Sequence, residues 1–383
     1  MAAVRRSGSL RSVARKFGVC LRTVQRWVKR AEGQRLDRVD LCDRPSIPKT
    51  IHNRTDRRME DRVLVLRQEL RDKSALGEYG AEAIHRELLR QFKSRAPSPR
   101  TINRILDRHG VFDARRRRRW PSPPPGWYIP AVASQSAELD QFDIIEGLVI
   151  RGGIRVEVLT AVSLHGGLID AWPGEGVNAR LAREALISHW QQVGLPDYAQ
   201  FDNDTVFQGA HQHRDVISSV MRLCLSLDVV PVFAPPRETG FQAAIESFNG
   251  RWQAKVWSRF EHESLAALRR QSTKYVSAYR KRIAARLESA PPRRSFPEGF
   301  WLDLQARPCG RLIFLRRTDE SGKAYLLGRR FEVDRQWAHR LVRCEVNLDA
   351  QRIHFYALRR RQPDQQPFLC DIAYELPHRR FRL

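Results

Sequence analysis

Three acidic residues in this chain stand where a carboxylate can do chemistry. Asp143 lies in an alternating, strand-like run with Phe142, Ile144, Leu148 and Ile150. Asp202 closes the short, partly apolar run Tyr198-Ala199-Gln200-Phe201 and is followed by the turn residues Asn203 and Asp204. Glu246 sits in the stretch Phe241 to Trp257, where Ile245, Phe248, Trp252 and Val256 recur at helical spacing. Two acids at strand ends and one on a helix can converge on one point. Convergent carboxylates suit hard divalent cations such as Mg2+, which take oxygen ligands and keep positions open for phosphate. Two such ions can clamp the attacking and leaving oxygens of an in-line phosphoryl displacement.

The surroundings of these acids resemble the catalytic core of the retroviral-integrase and insertion-sequence transposase superfamily, the DDE type with a ribonuclease H-like fold. Leu139-Asp140-Gln141-Phe142-Asp143 is similar to the family's Trp-Gln-x-Asp, with Asp140 in the Trp position. Asp202-Asn203-Asp204 is similar to its Asp-Asn-Gly turn, with Asp204 in the Gly position, and Glu246-Ser247-Phe248-Asn249 fits its Glu motif directly. Many relatives also carry an Asp where Ser163 stands. The resemblance implies that Asp143, Asp202 and Glu246 are the catalytic, metal-binding residues and hold two Mg2+ or Mn2+ ions. It further implies nicking at mobile-element ends, strand transfer into target DNA, and a homo-oligomeric synapse on double-stranded DNA. Residues three apart on a strand face opposite ways, so Asp140 and Asp143 cannot both serve; the resemblance selects Asp143, leaving Asp140 and Asp170 as expected surface acids. The family's usual separation after Asp202 would select Glu238. That residue lies in Pro235-Pro236-Arg237-Glu238-Thr239-Gly240, a flexible turn, whereas a metal ligand needs rigid support, so Glu246 is preferred.

The chain's 383 residues allow two or three domains, and its formal net charge of +25 favours a polyanionic partner. The charge is partitioned: residues 1–130 hold 32 basic and 14 acidic residues, 131–260 hold 10 and 15, and the remainder 26 and 14. Basic ends around an acidic middle suit DNA-gripping modules flanking a cation site. The six cysteines are scattered with no Cys-x-x-Cys pair, which argues against a disulfide framework or cysteine-based zinc and fits a reducing cytosol. No run approaches a membrane span, and the N-terminus has no signal-peptide core. The expected setting is the bacterial cytoplasm, on the nucleoid when DNA-bound, with no membrane partner.

In chain order, residues 1–31 read as a helix-turn-helix. Val13, Ala14 and Phe17 form one apolar face, Gly18 the turn, and Leu21, Val24, Trp27 and Val28 the second face. Arg22, Thr23, Gln25 and Arg26 are then the outward base readers in a major groove. The first supporting helix has little room, so the start is expected to be truncated relative to a complete domain. Residues 32–54 read as a linker and 55–112 as a second helix-turn-helix-like unit, with Arg100 and Arg104 facing DNA and Ser98-Pro99 starting its last helix. Residues 113–133 read as an Arg/Pro-rich linker. There Arg115, Arg116, Arg117, Arg118 and Arg119 repel one another, and the prolines favour an extended path, so phosphate contact is expected.

Residues 134–260 read as the integrase-type core, 261–306 as a helical extension and 307–383 as a small β-barrel-like DNA-binding tail. Within the core, Glu138 to Ile150, Ile154 to Leu164 and Leu168 to Trp172 read as three strands split by Gly-Gly turns, and Ala179 to Val193 as a helix. Together these give a multidomain α/β protein: all-α helix-turn-helix units, a ribonuclease H-like α/β core and a β-barrel. His211 and His213 lack a third ligand at useful spacing and read as a loop. No phosphate-binding Gly loop or hydrolase Ser elbow occurs. The expected function is metal-dependent nicking and strand transfer. The alternative is an inactive or domesticated relative that binds DNA or regulates transcription.

Overall fold

The structure is a computed structural model that describes residues 2–7, 9–35, 38–39, 55–92, 96–111, 123–210 and 213–378. The chain divides into two compact units, Met1–Glu60 and Asp61–Leu383. Most of the expected 32–54 linker and the arginine run Arg115 to Arg119 lie outside the described residues.

The described residues of the first unit include helices α1 (Ala2–Ser7), α2 (Leu10–Lys16) and α3 (Leu21–Ala31). Ser9 caps α2, its Oγ accepting from Ser12 N. Gly18 at φ +63° turns the chain between α2 and α3, a backbone state that favours glycine. Val13, Ala14 and Val24 are buried together, with Leu10, Val19 and Val28 packed around them. Phe17 differs from expectation. It lies one residue past the end of α2 and is 58% exposed, not part of the apolar face.

Helix α4 (Arg57–Lys73) spans the division at Asp61, and α5 (Ala81–Phe92) and α6 (Pro99–Arg108) follow it in the second unit. Val63, Leu66, Ile84, Leu88, Ile102, Ile105 and Leu106 are buried at helical spacing. Ser98 caps α6 through Thr101 N, with Pro99 at its first position. The loop after α4 is tied down from a distant segment: Lys255 Nζ donates to Gly77 O and Arg259 Nη1 to Ser74 O.

The compact core starts earlier than Ser134. Trp127, Tyr128, Ile129 and Val132 are all buried, so the second half of the expected linker belongs to the core. Three large apolar side chains in a row gain more from burial than a solvated linker allows. The short helix α7 (Pro130–Ala133) then leads into the sheet.

Among the described residues that sheet has nine strands. In chain order they are β1 (Leu139–Ile150), β2 (Ile154–Ser163), β3 (Ile169–Gly174), β4 (Tyr198–Phe201), β5 (Val230–Phe233), β6 (Arg311–Arg317), β9 (Leu341–Asn347), β10 (Arg352–Ala357) and β11 (Phe368–Ala373). Their spatial order is β11-β10-β9-β6-β5-β4-β1-β2-β3. The meander β1–β2–β3 is antiparallel, β4 and β5 join β1 in parallel, and this half has the ribonuclease H-like order. Helix α8 (Ala179–Val193), with Asn178 as its cap, the short α9 (Thr205–Gln208) and α10 (Ser219–Ser226) follow the meander. α8 and α10 pack on one face with Phe142, Leu159, Phe201 and Phe233. α11 (Ala243–Trp252), which runs on as a π-helical turn Gln253–Trp257, and α12 (Leu265–Arg282) pack on the other with Ile145, Val158 and Ile169. α12 is therefore part of the core and not an extension, and the short α13 (Ala284–Leu287) follows it.

The tail corrects a second expectation. β6 pairs in parallel with β5, through Val232↔Ile313 and Phe233↔Phe314, and β9, β10 and β11 continue antiparallel from it. The strands expected to close a small barrel instead extend the central sheet. The reason is the run Leu312-Ile313-Phe314-Leu315, buried on both faces, which suits an interior strand. Beside it, β7 (Lys323–Leu326) and β8 (Arg329–Glu332) form a separate hairpin.

Candidate active site

The register of β1 and β4 determines where the first two acids fall. Asp140 pairs with Ala199 and Gln141 with Gln200 in parallel; two residues further on, Asp143 and Asp202 stand on neighbouring strands where β4 ends. α11 crosses this face with Glu246 in its first turn. Its start is fixed by a buried polar set. Ile245 N donates to Gln141 Oε1 at 3.1 Å, and Gln141 Nε2 donates to Gln200 Oε1 at 2.7 Å. Tyr128 Oη lies 2.5 Å from the same Gln200 oxygen and 2.9 Å from Phe241 O, with one proton to share between these two acceptors. Gln141, two residues before Asp143, thus holds the turn of helix that carries Glu246.

One helical turn after Glu246, Asn249 reaches back to the strand. Its Nδ2 donates to Asp143 Oδ2 at 2.7 Å, and its Oδ1 accepts from Thr160 Oγ1 at 2.8 Å. The chain Thr160–Asn249–Asp143 orients the carboxylate from β2 through α11. Neither Thr160 nor Asn249 emerges from the sequence as a site residue. The signal for Asn249 is its place in the Glu246 motif, three residues on and so on the same helix face.

The electrostatics are those of crowded like charges. Burial, then the negative charges of Asp202 and Glu246, push Asp143 up to about 7, against the Ile144 N–H and the Asn249 amide, which favour its ionised form. Asp202 is also raised, by burial and by the charges of Asp204 and Glu146, while the Asp204 N–H opposes the shift. Among the described residues none of these three acids is in an ion pair. Three oxygen donors without a counter-ion fit a hard divalent cation. As the side chains lie, no three His, Cys, Asp or Glu among the described residues are gathered closely enough to hold one ion. Glu246 is exposed, whereas Asp143 and Asp202 are partly buried.

Glu238 is engaged elsewhere. Its Oε1 accepts from Arg317 Nε at 2.5 Å, in a turn where Arg237 (φ +60°) and Gly240 (φ +84°) are left-handed.

Asp140 and Asp170 are not surface acids. Asp140 is fully buried on the opposite face of β1. It accepts from Arg293 Nη1 at 2.9 Å and Nη2 at 2.6 Å, from Ser163 Oγ at 2.7 Å and from Trp190 Nε1 at 3.1 Å. Burial alone pushes this carboxyl up, but the charge and bonds of Arg293, then His189 and Ser163, bring it below its ordinary value. Asp170, largely buried, pairs with Arg280 Nη2 at 2.7 Å and lies 3.2 Å from His189 Nδ1. Asp140 and Ser163 are cross-strand partners; serine at 163 donates to the buried carboxylate where an aspartate would repel it.

Of the expected DNA-facing residues, Arg22, Gln25 and Arg26 are exposed on α3, and Arg100 and Arg104 on α6. Thr23 is half-buried and its Oγ1 is 3.0 Å from Cys20 Sγ. His211 lies outside the described residues.

No family model matches the chain, and no curated protein matches it. Among solved structures, a simian T-cell lymphotropic virus intasome in complex with PP2A regulatory subunit B56 gamma overlaps 69% of this chain and 88% of its own, at 12% identity and a TM-score of 0.32. The HTLV-2 integrase catalytic core domain in complex with magnesium overlaps 35% of this chain and 81% of its own, at 14% identity and a TM-score of 0.27. The BIV integrase catalytic core domain overlaps 36% and 81%, at 20% identity and a TM-score of 0.27. At these TM-scores the likeness carries no argument about function, which rests on the site itself.

Proposed function

We propose that this chain is a DNA transposase of the integrase type, acting by metal-dependent phosphoryl transfer. The observation that carries the reading is Asp143 on β1 and Asp202 just past the end of the adjacent parallel strand β4, beneath the helix of Glu246, with no ion-pair partner among the described residues. These three carboxylates would hold two Mg2+ or Mn2+ ions. When bound, such ions activate the attacking oxygen and stabilise the leaving one. The chain's own contribution is positional. Gln141 and Tyr128 fix the start of α11, Asn249 fixes the Asp143 carboxylate, and exposed Glu246 closes on the pair.

In this reading the helices α2 and α3 form a helix-turn-helix. Arg22, Thr23, Gln25 and Arg26 face base edges there, and Arg100, Arg104 and the arginine run Arg115 to Arg119 meet phosphate. The partners are element-end and target DNA, held in a synapse of several copies, in a bacterial cytoplasm. No helix among the described residues is long and apolar enough to cross a membrane. The test is nicking of DNA taken from the flanks of the chain's own gene. Cleavage that needs Mg2+ or Mn2+ and is lost in Asp202→Asn supports the proposal; an Asp202→Asn variant that nicks as well as the parent removes it.

A further inference from the structure

Beside the carboxylates a cavity of about 420 Å3 opens between two parts of the second unit. One wall is Asn203, directly after Asp202, with Gln208; the other is Arg316, Arg317 and Tyr325 on β6 and β7. Its size falls within the roughly 300–1,000 Å3 of small-ligand sites. No carboxylate lines it among the described residues.

Arg316 is the unusual member. It is 94% buried, being only 6% exposed, and its bonds go to carbonyls alone. Nε donates to Tyr325 O at 3.0 Å, and Nη1 to Leu315 O at 2.8 Å and Ala234 O at 3.2 Å. Among the described residues Nη2 has no hydrogen-bond partner and no carboxylate pairs with the guanidinium. Burial lowers Arg316 to about 10, so it stays charged at neutral pH. A buried cation without a counter-ion is costly. Neighbouring Arg317, in contrast, is neutralised by Glu238.

The cavity is joined mechanically to the acidic residues. Ala234 O accepts from both Arg316 Nη1 and Asn203 Nδ2, the latter at 2.7 Å. At the rim, Tyr325 is 51% exposed and presents an aromatic ring of the kind on which bases stack. The adjoining hairpin turn holds Leu327 at φ +51° before Gly328 at φ +70°. Leucine in that conformation is strained, and such strain concentrates at ligand sites.

We infer that this cavity is a nucleotide subsite, taking one phosphodiester on Arg316 and the adjoining base on Tyr325 from a DNA strand laid across the carboxylates. The assignment rests on the nucleic-acid reading of the site but not on cleavage. A fluorescein-labelled thymidylate octamer, titrated without divalent ions against the full chain, tests it. Tyr325→Ala should weaken binding on the order of tenfold. Arg316→Met should weaken it and flatten the slope of log affinity against log salt by about 0.7, one phosphate contact on a single strand; Arg316→Lys should restore most of the slope. Folding is checked by circular dichroism, and because Tyr325 is exposed its variant decides the question if Arg316→Met does not fold. Wild-type affinity and slope in both folded variants, or in Tyr325→Ala alone where Arg316→Met does not fold, overturn the subsite. Competition by inorganic phosphate that removes the Arg316 effect while Tyr325→Ala changes nothing also overturns it, leaving a plain anion site. A chain that shows these binding effects yet never nicks defeats only the proposed function; one that nicks normally and shows none defeats only the subsite.

Discussion

Replacing Arg293 with methionine isolates the buried ion pair behind β1. Asp140, fully buried, keeps its bonds from Ser163 and Trp190 but loses two from the guanidinium, at 2.9 and 2.6 Å. Hydrogen bonds to a charged group contribute about 1.5–3 kcal/mol each, so two of them amount to about 3–6 kcal/mol. Breaking a buried pair by removing one partner costs about 3–5 kcal/mol by direct comparison, and the two routes agree. The expected loss is on the order of 10 °C in melting temperature for a unit of this size. The sign of the pH dependence also changes. In the parent, Asp140 lies below its unfolded value, so its contribution is present above about pH 4 and is lost as pH falls through the folded pKa. Without Arg293, burial, the largest influence on Asp140, is opposed by His189 and the Ser163 bond, and is expected to raise Asp140 above its unfolded value. Stability is then greatest in acid and is lost as pH rises through the new pKa. Urea unfolding at several pH values measures both effects. The Arg293→Met/Asp140→Asn double variant should recover the part of the loss that comes from the unpaired Asp140 carboxylate. The bonds from Arg293 to Gly194 O are absent from both Met variants and therefore cancel in the cycle. A single variant within 1 kcal/mol of the parent, or one whose stability still rises with pH, would refute the reasoning.

Three further outcomes follow from the geometry. Asn249→Ala should lower metal-dependent nicking at least tenfold while lowering stability by no more than its two lost side-chain hydrogen bonds, together about 2–4 kcal/mol; unchanged nicking removes Asn249 as the residue that positions Asp143. Glu246→Gln should abolish nicking and Glu238→Gln should leave it largely intact, measured side by side on one substrate; the opposite pattern reassigns the third ligand. Arg22→Ala with Arg26→Ala should weaken cognate-end binding by about 1–3 kcal/mol for each base-reading arginine removed and random DNA little, so equal weakening of the two in a gel-shift comparison denies a reading role.

Much of this core is legible in the sequence because its signals are local. α8 follows from Asn178 as a cap and from apolar residues at helical spacing, and the meander from Gly-Gly turns between alternating runs. The three acids stand out because each sits beside its own short motif, although Asp143 lies inside β1 and not at a strand end as its sequence setting suggests. What the sequence hides is long-range pairing. Asp140 reads as a surface acid because the charge that lets it be buried, Arg293, lies 153 residues away. Trp127 to Ile129 read as linker because the proline stretch before them dominates the composition, although three bulky apolar residues were a signal for burial. The C-terminal strands are individually visible, except β11, but nothing local says which edge accepts them. The doubly buried run Leu312 to Leu315 carried that information, and β6 joined β5 accordingly. Gln141 is the subtler case. In sequence it is one letter of a motif, and only the fold shows its amide holding the start of α11.

The most direct test of the central claim is manganese anomalous scattering from crystals of the protein grown with Mn2+. A peak held jointly by Asp143 and Asp202, with Glu246 drawn in from its exposed position, is expected in the parent and none in Asp202→Asn. Manganese bound away from these carboxylates, or completed by Glu238 in place of Glu246, would contradict that claim.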